Sequence, residues 1–465
     1  MPGGPVILKF GGTSVGDAEA IVRLCRHVAA ARERGAAVVV VSALSGVTDR
    51  LLQMAKRAAA GDGAQVEADL ADLRERHVRV GHEIAREAGV LPEFIGAQVV
   101  ELGNLLRAVG TLADASPRTQ DAIAAFGELL SSRIVEHALA AAGVSAEWID
   151  ARRVLVTDDT HGAALPLLDE TTRAAAERLA PLIARGAVPV LGGYIGATAA
   201  GVTTTLGRGG SDYSAALFGA ALQASEIQIW TDVDGMMTAD PRVVPSTHVV
   251  PRLSFDEASE LAYFGAKVLH PSTILPAVAR NIPVRILNSR RFDGTGTLIT
   301  ASASAHAPLA ALACKRHVTV VDITSTRMLM AHGFLRRVFE VFERCGTPID
   351  VVSTSEVSIS VTIDDDRRLG EITDALSSFA EVRVERDMAI LCAVGDGLRR
   401  DPRLASRILG SLEQFPLRMV SQAASRRNVT VVLQDDAAAD AMVHLHEIFF
   451  GRLSPAAVAA AGAPS

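Results

Sequence analysis

Five short runs constrain this chain more than anything else in it: "VILKF" at 6–10, "AAVVVVSAL" at 36–44, "AVPVLGGYIG" at 187–196, "SEIQIWTDVDG" at 225–235 and "IPVRILN" at 282–288. None alternates apolar with polar residues, so each reads as a strand covered on both faces. Strands of that kind, separated by helical stretches from Pro5 to about Thr300, predict an α/β fold: a mostly parallel sheet sandwiched by helices. Between Thr48 and Ile123 the chain turns Ala-, Arg- and Glu-rich, as in "VEADLADLRERHVRVGHEIAREAGV", which reads as a helical insertion with a scaffold role.

After a small-residue linker, "TASASAHAPLA" at 300–310, the texture changes. A unit with helix "GFLRRVFEVFERCG", strands "IDVVSTS" and "VSISVTID", helix "DRRLGEITDALSSF" and strand "EVRVER" is followed by a second of the same kind, "MAILCAVGD", "PRLASRILGSLEQF", "RMVSQAAS", "NVTVVLQ" and "AADAMVHLHEIFF". This is an internal β-α-β-β-α repeat. The second copy lacks its last strand, and "HVTVVDI" is surplus, so the reading is that this strand completes the second copy and the two units interleave. The tail at 454–465 offers nothing to pack and is expected to be disordered.

Composition narrows the functional classes. A net charge of −7 and a pI near 6.0 leave no basic surface for nucleic acid. No run resembles a membrane span, and the N-terminus shows no signal peptide. Cys25, Cys314, Cys345 and Cys392 are scattered without C-x-x-C spacing, as suits reduced thiols in a cytoplasmic protein rather than disulfides or a zinc site. Of 46 basic residues only four are lysine, so Lys9 and Lys267, each near glycines, stand out as positions where a compact ammonium is wanted.

The opening strand runs into "KFGGTSVGD". Two glycines and two hydroxyls follow Lys9 and precede a helix starting near Asp17, the layout of a phosphate-binding turn, but the lysine precedes the glycines, so this is not a P-loop. In "TTTLGRGGSDYSA", glycines on both sides of Arg208 let a ligand approach, and a guanidinium fork matches a carboxylate; Ser211 and Asp212 could equally be ordinary helix caps. "WTDVDGMMTADPR" leaves a strand at its carboxyl end, where open α/β sheets bind ligands. Glu128 in "FGELLS" would, alone, be read as a helix-dipole acid.

In this order, "KFGGTS", "SALSGVT", "FGELLS", "TTTLGRGGSDYSA", "WTDVDGMMTADPR" and "FGAKVLHP" resemble the signature set of aspartate kinases of the amino-acid-kinase fold, and the two C-terminal units resemble paired, interleaved ACT domains of ferredoxin-like α+β type. The likeness is greatest to the monofunctional, lysine-sensitive type. It implies a catalytic domain at 1–300, a linker at 301–310, and ACT domains at 311–387 and 388–453. It also implies ATP-dependent phosphorylation of the L-aspartate β-carboxylate to 4-phospho-L-aspartate, the first step of the lysine, threonine and methionine (diaminopimelate) pathway, with Mg2+ carried on the ATP phosphates rather than by protein ligands.

By the same resemblance, Lys9, Asp212 and Lys267 are catalytic: Lys9 stabilises the moving phosphoryl group, Asp212 organises that lysine and its neighbours, and Lys267 adds charge on the nucleotide phosphates. Gly11, Gly12, Thr13 and Ser14 line the phosphate path, and Thr231, Asp232, Met237 and Arg242 hold the nucleotide. Arg208 takes the aspartate α-carboxylate, Glu128 the α-ammonium, and Thr48 and Ser211 are hydroxyl contacts. Kinases for glutamate, acetylglutamate, carbamate or a nucleotide, and a non-catalytic amino-acid sensor on the same fold, are the alternatives; the complete motif set disfavours them.

The first ACT unit implies a feedback effector, lysine before threonine. Gly333, Phe334 and Leu335 open a helix whose N–H groups suit its carboxylate. Asp350 and Glu356 suit its amino groups, Met328 and Ile349 its alkyl chain, and Thr354 and Ser355 are polar contacts. Ala331 and Pro348 stand where serines are expected, which predicts weaker lysine inhibition. A homodimer or homotetramer through the ACT units is expected.

Overall fold

The computed structural model describes residues 3–84, 91–265, 271–302, 308–325, 333–422 and 425–451. Lys267, Met328, Ala331 and the tail at 454–465 lie outside these residues, as does 303–307 of the linker. The chain divides into two compact units, Met1–Met236 with Val268–Ala301, and Met237–Lys267 with Ser302–Ser465.

The first unit starts with β1 (Val6–Phe10), α1 (Ala18–Arg34) and β2 (Ala37–Val41), followed by the helices α2 (Val47–Ala59), α3 (Gly63–Ile84), α4 (Leu91–Leu112), α5 (Pro117–Ala124) and α6 (Phe126–Ala141). It continues through β3 (Ala146–Ile149), β4 (Val156–Thr157), β5 (Val188–Gly192), β6 (Ile195–Thr198), β7 (Thr203–Thr205) and β8 (Glu226–Thr231). After an excursion into the second unit, where β9 (Arg252–Ser254) lies, it resumes with β10 (Val284–Asn288) and β11 (Thr297–Thr300). The main sheet runs β3-β5-β2-β1-β8-β10-β11, all parallel except the last pair, and β4-β6-β7 form a small second sheet.

All five residues of β2 and of β5 are buried, which is why their sequences do not alternate. Alternation persists in direction. Leu8, Phe10, Val39 and Val41 join the core that Ile21, Leu24 and Val28 of α1 and Ile134 of α6 complete; burying each such side chain contributes about 1.5–3 kcal/mol. Lys9 lies between Leu8 and Phe10, so it leaves β1 on the opposite face. Asp17 caps α1 by accepting from Ala20 N–H at 2.8 Å.

The second unit is built on β12 (Ala311–Thr324), β13 (Val352–Thr354), β14 (Ser358–Ile363), β15 (Glu381–Val394), β16 (Met419–Ser421) and β17 (Asn428–Gln434), in one sheet ordered β13-β14-β12-β15-β17-β16. Two expectations change here. "EVRVER" and "MAILCAVGD" are not separate strands but one, β15. "HVTVVDI" does not complete the second repeat: Thr319–Thr324 pair with β14 of the first, and the residues that reach the second are Ala311–Lys315, against Ile390–Val394 of β15. The register explains it, because a single long β12 serves both repeats in succession. At the crossover the pairing slips, and His317 and Asp387 both take left-handed backbone, φ 57° and 56°.

The segment Met237–Lys267, expected in the catalytic domain, groups with this second unit. Ala239 and Val244 enter its core, Leu312 N–H donates to the Thr238 carbonyl at 2.8 Å, and the Thr238 hydroxyl meets His446 Nε2 at 2.9 Å. All four cysteines are free, and burial pushes the Cys25 and Cys314 thiols up to about 12.

Candidate active site

The order β2-β1-β8 places β1 at the point where the sheet connections diverge, the position at which open α/β sheets leave a crevice beyond their carboxyl ends. There Gly11 and a 3-10 turn, Gly12–Ser14, follow β1. A Cβ on Gly12 would meet the Ala43 carbonyl at 3.1 Å, so this glycine lets the turn lie against the loop after β2, while one on Gly11 would make an ordinary contact with Lys9 Nζ at 3.6 Å. A cleft of about 350 Å³ opens here, lined by Gly11–Thr13, Ser42–Gly46, Thr48, Asp49 and Thr231.

Lys9 is 8% exposed, and its Nζ lies 2.7 Å from Asp212 Oδ1. Asp212 is in the first turn of the helix Gly210–Ala221, whose cap is Gly209 at φ 71° with no side-chain cap. Asp212 and Ser211 are therefore free of the capping duty that their position suggested. Burying an unpaired ammonium is costly, so the carboxylate across the strand end is what makes a buried Lys9 tenable. Ser14 is buried; its hydroxyl donates to Ser289 Oγ at 2.8 Å and the Trp230 carbonyl at 3.3 Å, tying the turn to β8 and the end of β10.

Glu128 sits in the first turn of α6, 2% exposed. Oε1 accepts from Ala43 N–H at 3.1 Å, and Oε2 has no partner among the described residues. Burial, only partly countered by that N–H, pushes its pKa up to about 8. A fully buried carboxyl aimed at the loop lining the cleft is not a solvated helix-dipole acid. Arg208, between Gly207 (φ 75°) and Gly209, is exposed and has no ion-pair partner among the described residues. Thr48, at the start of α2, and Ser211 are half-buried; Thr231 ends β8 with its hydroxyl 3.2 Å from Asp232 Oδ1.

Met237 and Arg242 fall in the second unit: Met237 bridges to Val249, and the Arg242 guanidinium is held by Asp240 at 2.7–3.2 Å. The described residues read as an effector site also fall in that unit. Phe334 is buried; Leu335, Pro348, Thr354, Ser355 and Glu356 are exposed; Ile349 is half-buried. Gly333, at φ 87°, caps the helix Phe334–Arg344. The Asp350 side chain is 3% exposed and already paired: Lys315 Nζ is 2.7 Å from its Oδ1 and 2.7 Å from Asp364 Oδ2. Tyr263 donates to the Ile349 carbonyl at 3.2 Å.

Sequence reasoning missed several contributors. Gly192 ends β5 and Gly193 follows it; a Cβ on the first would meet Glu128 Cβ and one on the second Ser211 Cβ, each at 2.8 Å, so this pair lets α6 and the helix Gly210–Ala221 close on the end of β5. The signal was present, since glycines after an apolar strand were recognised after β1 but not here. Arg76 of α3 donates to the carbonyls of Ser45 (3.0 Å) and Gly16 (3.3 Å), giving the helical insertion a hand in the site. Nothing in the sequence marked it.

A buried lysine–aspartate pair at the central strand's end, glycines beside it, a buried carboxyl and an exposed arginine without an ion-pair partner among the described residues suit a small, charged substrate. The Amino acid kinase family matches residues 4–288, and an ACT domain matches residues 391–449. The chloroplastic aspartokinase 3 of Arabidopsis thaliana is 37% identical over 96% of this chain and 81% of its own. The structure of Escherichia coli aspartokinase III with lysine and aspartate, in the T-state, is 35% identical, covers 96% of this chain and 99% of that one, and superposes with a TM-score of 0.81; the same enzyme with aspartate and ADP, in the R-state, gives 34%, 96%, 100% and 0.81. The chain belongs to the aspartokinases. It uses ATP to phosphorylate the β-carboxylate of L-aspartate. Among the described residues no helix is long and apolar enough to cross a membrane.

Proposed function

We propose that Lys9, held by Asp212, stabilises the phosphoryl group as it moves from ATP to aspartate. Phosphoryl transfer needs cations and N–H donors around the equatorial oxygens more than a covalent intermediate. The observation that carries this reading is the 2.7 Å Lys9–Asp212 pair, buried at the strand end beside Gly11 and Gly12. In this reading Gly11, Gly12 and Thr13 flank the phosphates, Ser14 fixes their turn, and Thr231 and Asp232 lie toward the nucleoside; Lys267 is assigned to the phosphates on resemblance alone. Magnesium on the phosphates would add positive charge where Lys9 already supplies some.

On the substrate side, Arg208 takes the α-carboxylate, Glu128 the α-ammonium, and Thr48 and Ser211 offer hydroxyls. Glu128 supports this by its free Oε2 and raised pKa: a buried carboxyl without a cation is the group that gains most from an incoming ammonium. Initial rates with aspartate against glutamate, read by hydroxamate formation, test the assignment; glutamate turnover equal to that of aspartate would overturn it.

The aspartokinase III complex contains lysine. We read lysine as the effector here as well, at Asp350 and the residues around it, with the chain acting in the cytoplasm. Exposed Leu335, Phe339, Val352 and Val357 offer apolar surface in this unit for pairing with a second copy. Sedimentation with and without lysine checks the pairing.

A further inference from the structure

Asp121 is a carboxylate that the reaction as described does not use. It lies on α5, seven residues ahead of Glu128, and its side chain is 4% exposed. Four hydrogen bonds converge on it. Thr205 Oγ1 donates to Oδ1 at 2.6 Å, His161 Nδ1 lies 2.7 Å from Oδ2, and Gly162 N–H reaches both oxygens at 3.1 Å. Buried polar groups are usually satisfied, but satisfying one carboxylate from two remote segments also fixes those segments to each other.

Both segments lead to Arg208. Thr205 ends β7, three residues before it. The loop at 161–162 packs on the glycine just ahead of it: a Cβ on Gly207 would come within 3.0 Å of the Gly162 carbonyl. Ala164 N–H donates to the Thr205 carbonyl at 2.9 Å, closing the ring of contacts. Arg208 itself is exposed and has no ion-pair partner among the described residues, and the glycines around it take φ 75° and 71°. With no ion pair to hold its guanidinium among the described residues, its place is set by its backbone, and that backbone is set by what lies under Gly207 and Thr205.

We propose that Asp121 is a positioning residue for the aspartate subsite: by clamping the 161–162 loop and the end of β7, it fixes the backbone from which Arg208 reaches the substrate α-carboxylate. The same helix pair carries Glu128, since Ala125 N–H donates to the Asp121 carbonyl at 3.1 Å on the way into α6. One buried side chain thereby sets the spacing between the groups assigned to the α-carboxylate and the α-ammonium. This inference rests on the assignment of Arg208 to aspartate.

The test is steady-state kinetics on the full-length enzyme, varying aspartate and ATP separately, with thermal melting alongside. Asp121→Asn keeps the size and loses the charge and one acceptor; it is expected to raise the aspartate KM about tenfold and leave the ATP KM within about twofold. Thr205→Val and His161→Ala each remove one donor and are expected to raise the aspartate KM about threefold, which keeps the test decisive if Asp121→Asn does not fold. A residue with only a structural role would lower the melting temperature and the active fraction while leaving KM unchanged, and unchanged aspartate KM in the Thr205 and His161 variants would overturn the proposal. In an Arg208→Lys background, Asp121→Asn is expected to add less than twofold; a full tenfold increment there would mean that Asp121 does not act through Arg208. If Arg208→Lys alone leaves the aspartate KM unaltered, it is the assignment of Arg208 that fails.

Discussion

Lys315 places its ammonium 2.7 Å from Asp350 in the site read as the effector pocket, so the chain fills with its own lysine the position where an incoming lysine would put an amino group. Burial costs the Lys315 ammonium hydration, but Asp350 and Asp364 more than offset this and raise its pKa. The effector must displace or share that contact. Lys315→Met is therefore expected to lower the lysine concentration for half-inhibition about tenfold, the scale of one charge-assisted hydrogen bond. Asp350→Ala should abolish inhibition, and initial rates against lysine and threonine for the three proteins decide it. An unchanged midpoint in Lys315→Met would remove Asp350 from ammonium recognition.

Lys9→Ala is expected to cut kcat by about 10² to 10³ if Lys9 has the transition-state role proposed for it, and to lower the melting temperature too, because the buried Asp212 carboxylate loses its ammonium. Asp212→Asn should fall in the same direction by a smaller factor, since the ammonium stays but loses its holder. A coupled ADP-release assay measures both.

Glu128 carries a pH dependence whose sign can be worked out. Its folded pKa, about 8, lies above the ordinary glutamate value of 4.5, so between these values the folded enzyme holds a proton that the unfolded chain has released, and stability falls as pH rises through that window. Aspartate binding runs the other way. An ammonium needs the carboxylate, so the aspartate KM should fall by up to about tenfold per unit from pH 6.5 to 8 and level off above. Glu128→Gln is expected to flatten both curves, raise the aspartate KM at least about tenfold, and raise the melting temperature at pH 8 by ~2 °C, the scale of roughly 1 kcal/mol.

Arg208→Lys should raise the aspartate KM about tenfold and leave ATP affinity unchanged, since an ammonium cannot make the two parallel bonds of a guanidinium. Calorimetry with a non-hydrolysed ATP analogue and with aspartate separates the two; equal losses would place Arg208 on the nucleotide side.

What could be read in the sequence follows from distance along the chain. The five apolar runs announced strands buried on both faces because that property is local, and β2 and β5 are buried at every residue. The glycines after β1 and around Arg208 announced turns for the same reason. Partnerships across the chain were not legible. The Lys9–Asp212 pair joins residues about 200 apart and was expected only through resemblance, while Asp121, Gly192, Gly193, Arg76 and the Lys315–Asp350 pair acquire meaning only when remote segments meet. The repeat was visible, yet the allotment of its shared strand was not, because either half of β12 has the apolar content that the vacancy needed.

The two long strands have a mechanical meaning. β12 and β15 cross from one repeat into the other without a break, turning together at His317 and Asp387. A protease cut at the nominal boundary, 387/388, would sever β15 in its middle and expose interior edges on both fragments rather than release two modules. The C-terminal half is thus expected to melt as one cooperative piece, and pulling on either repeat loads the backbone of its neighbour.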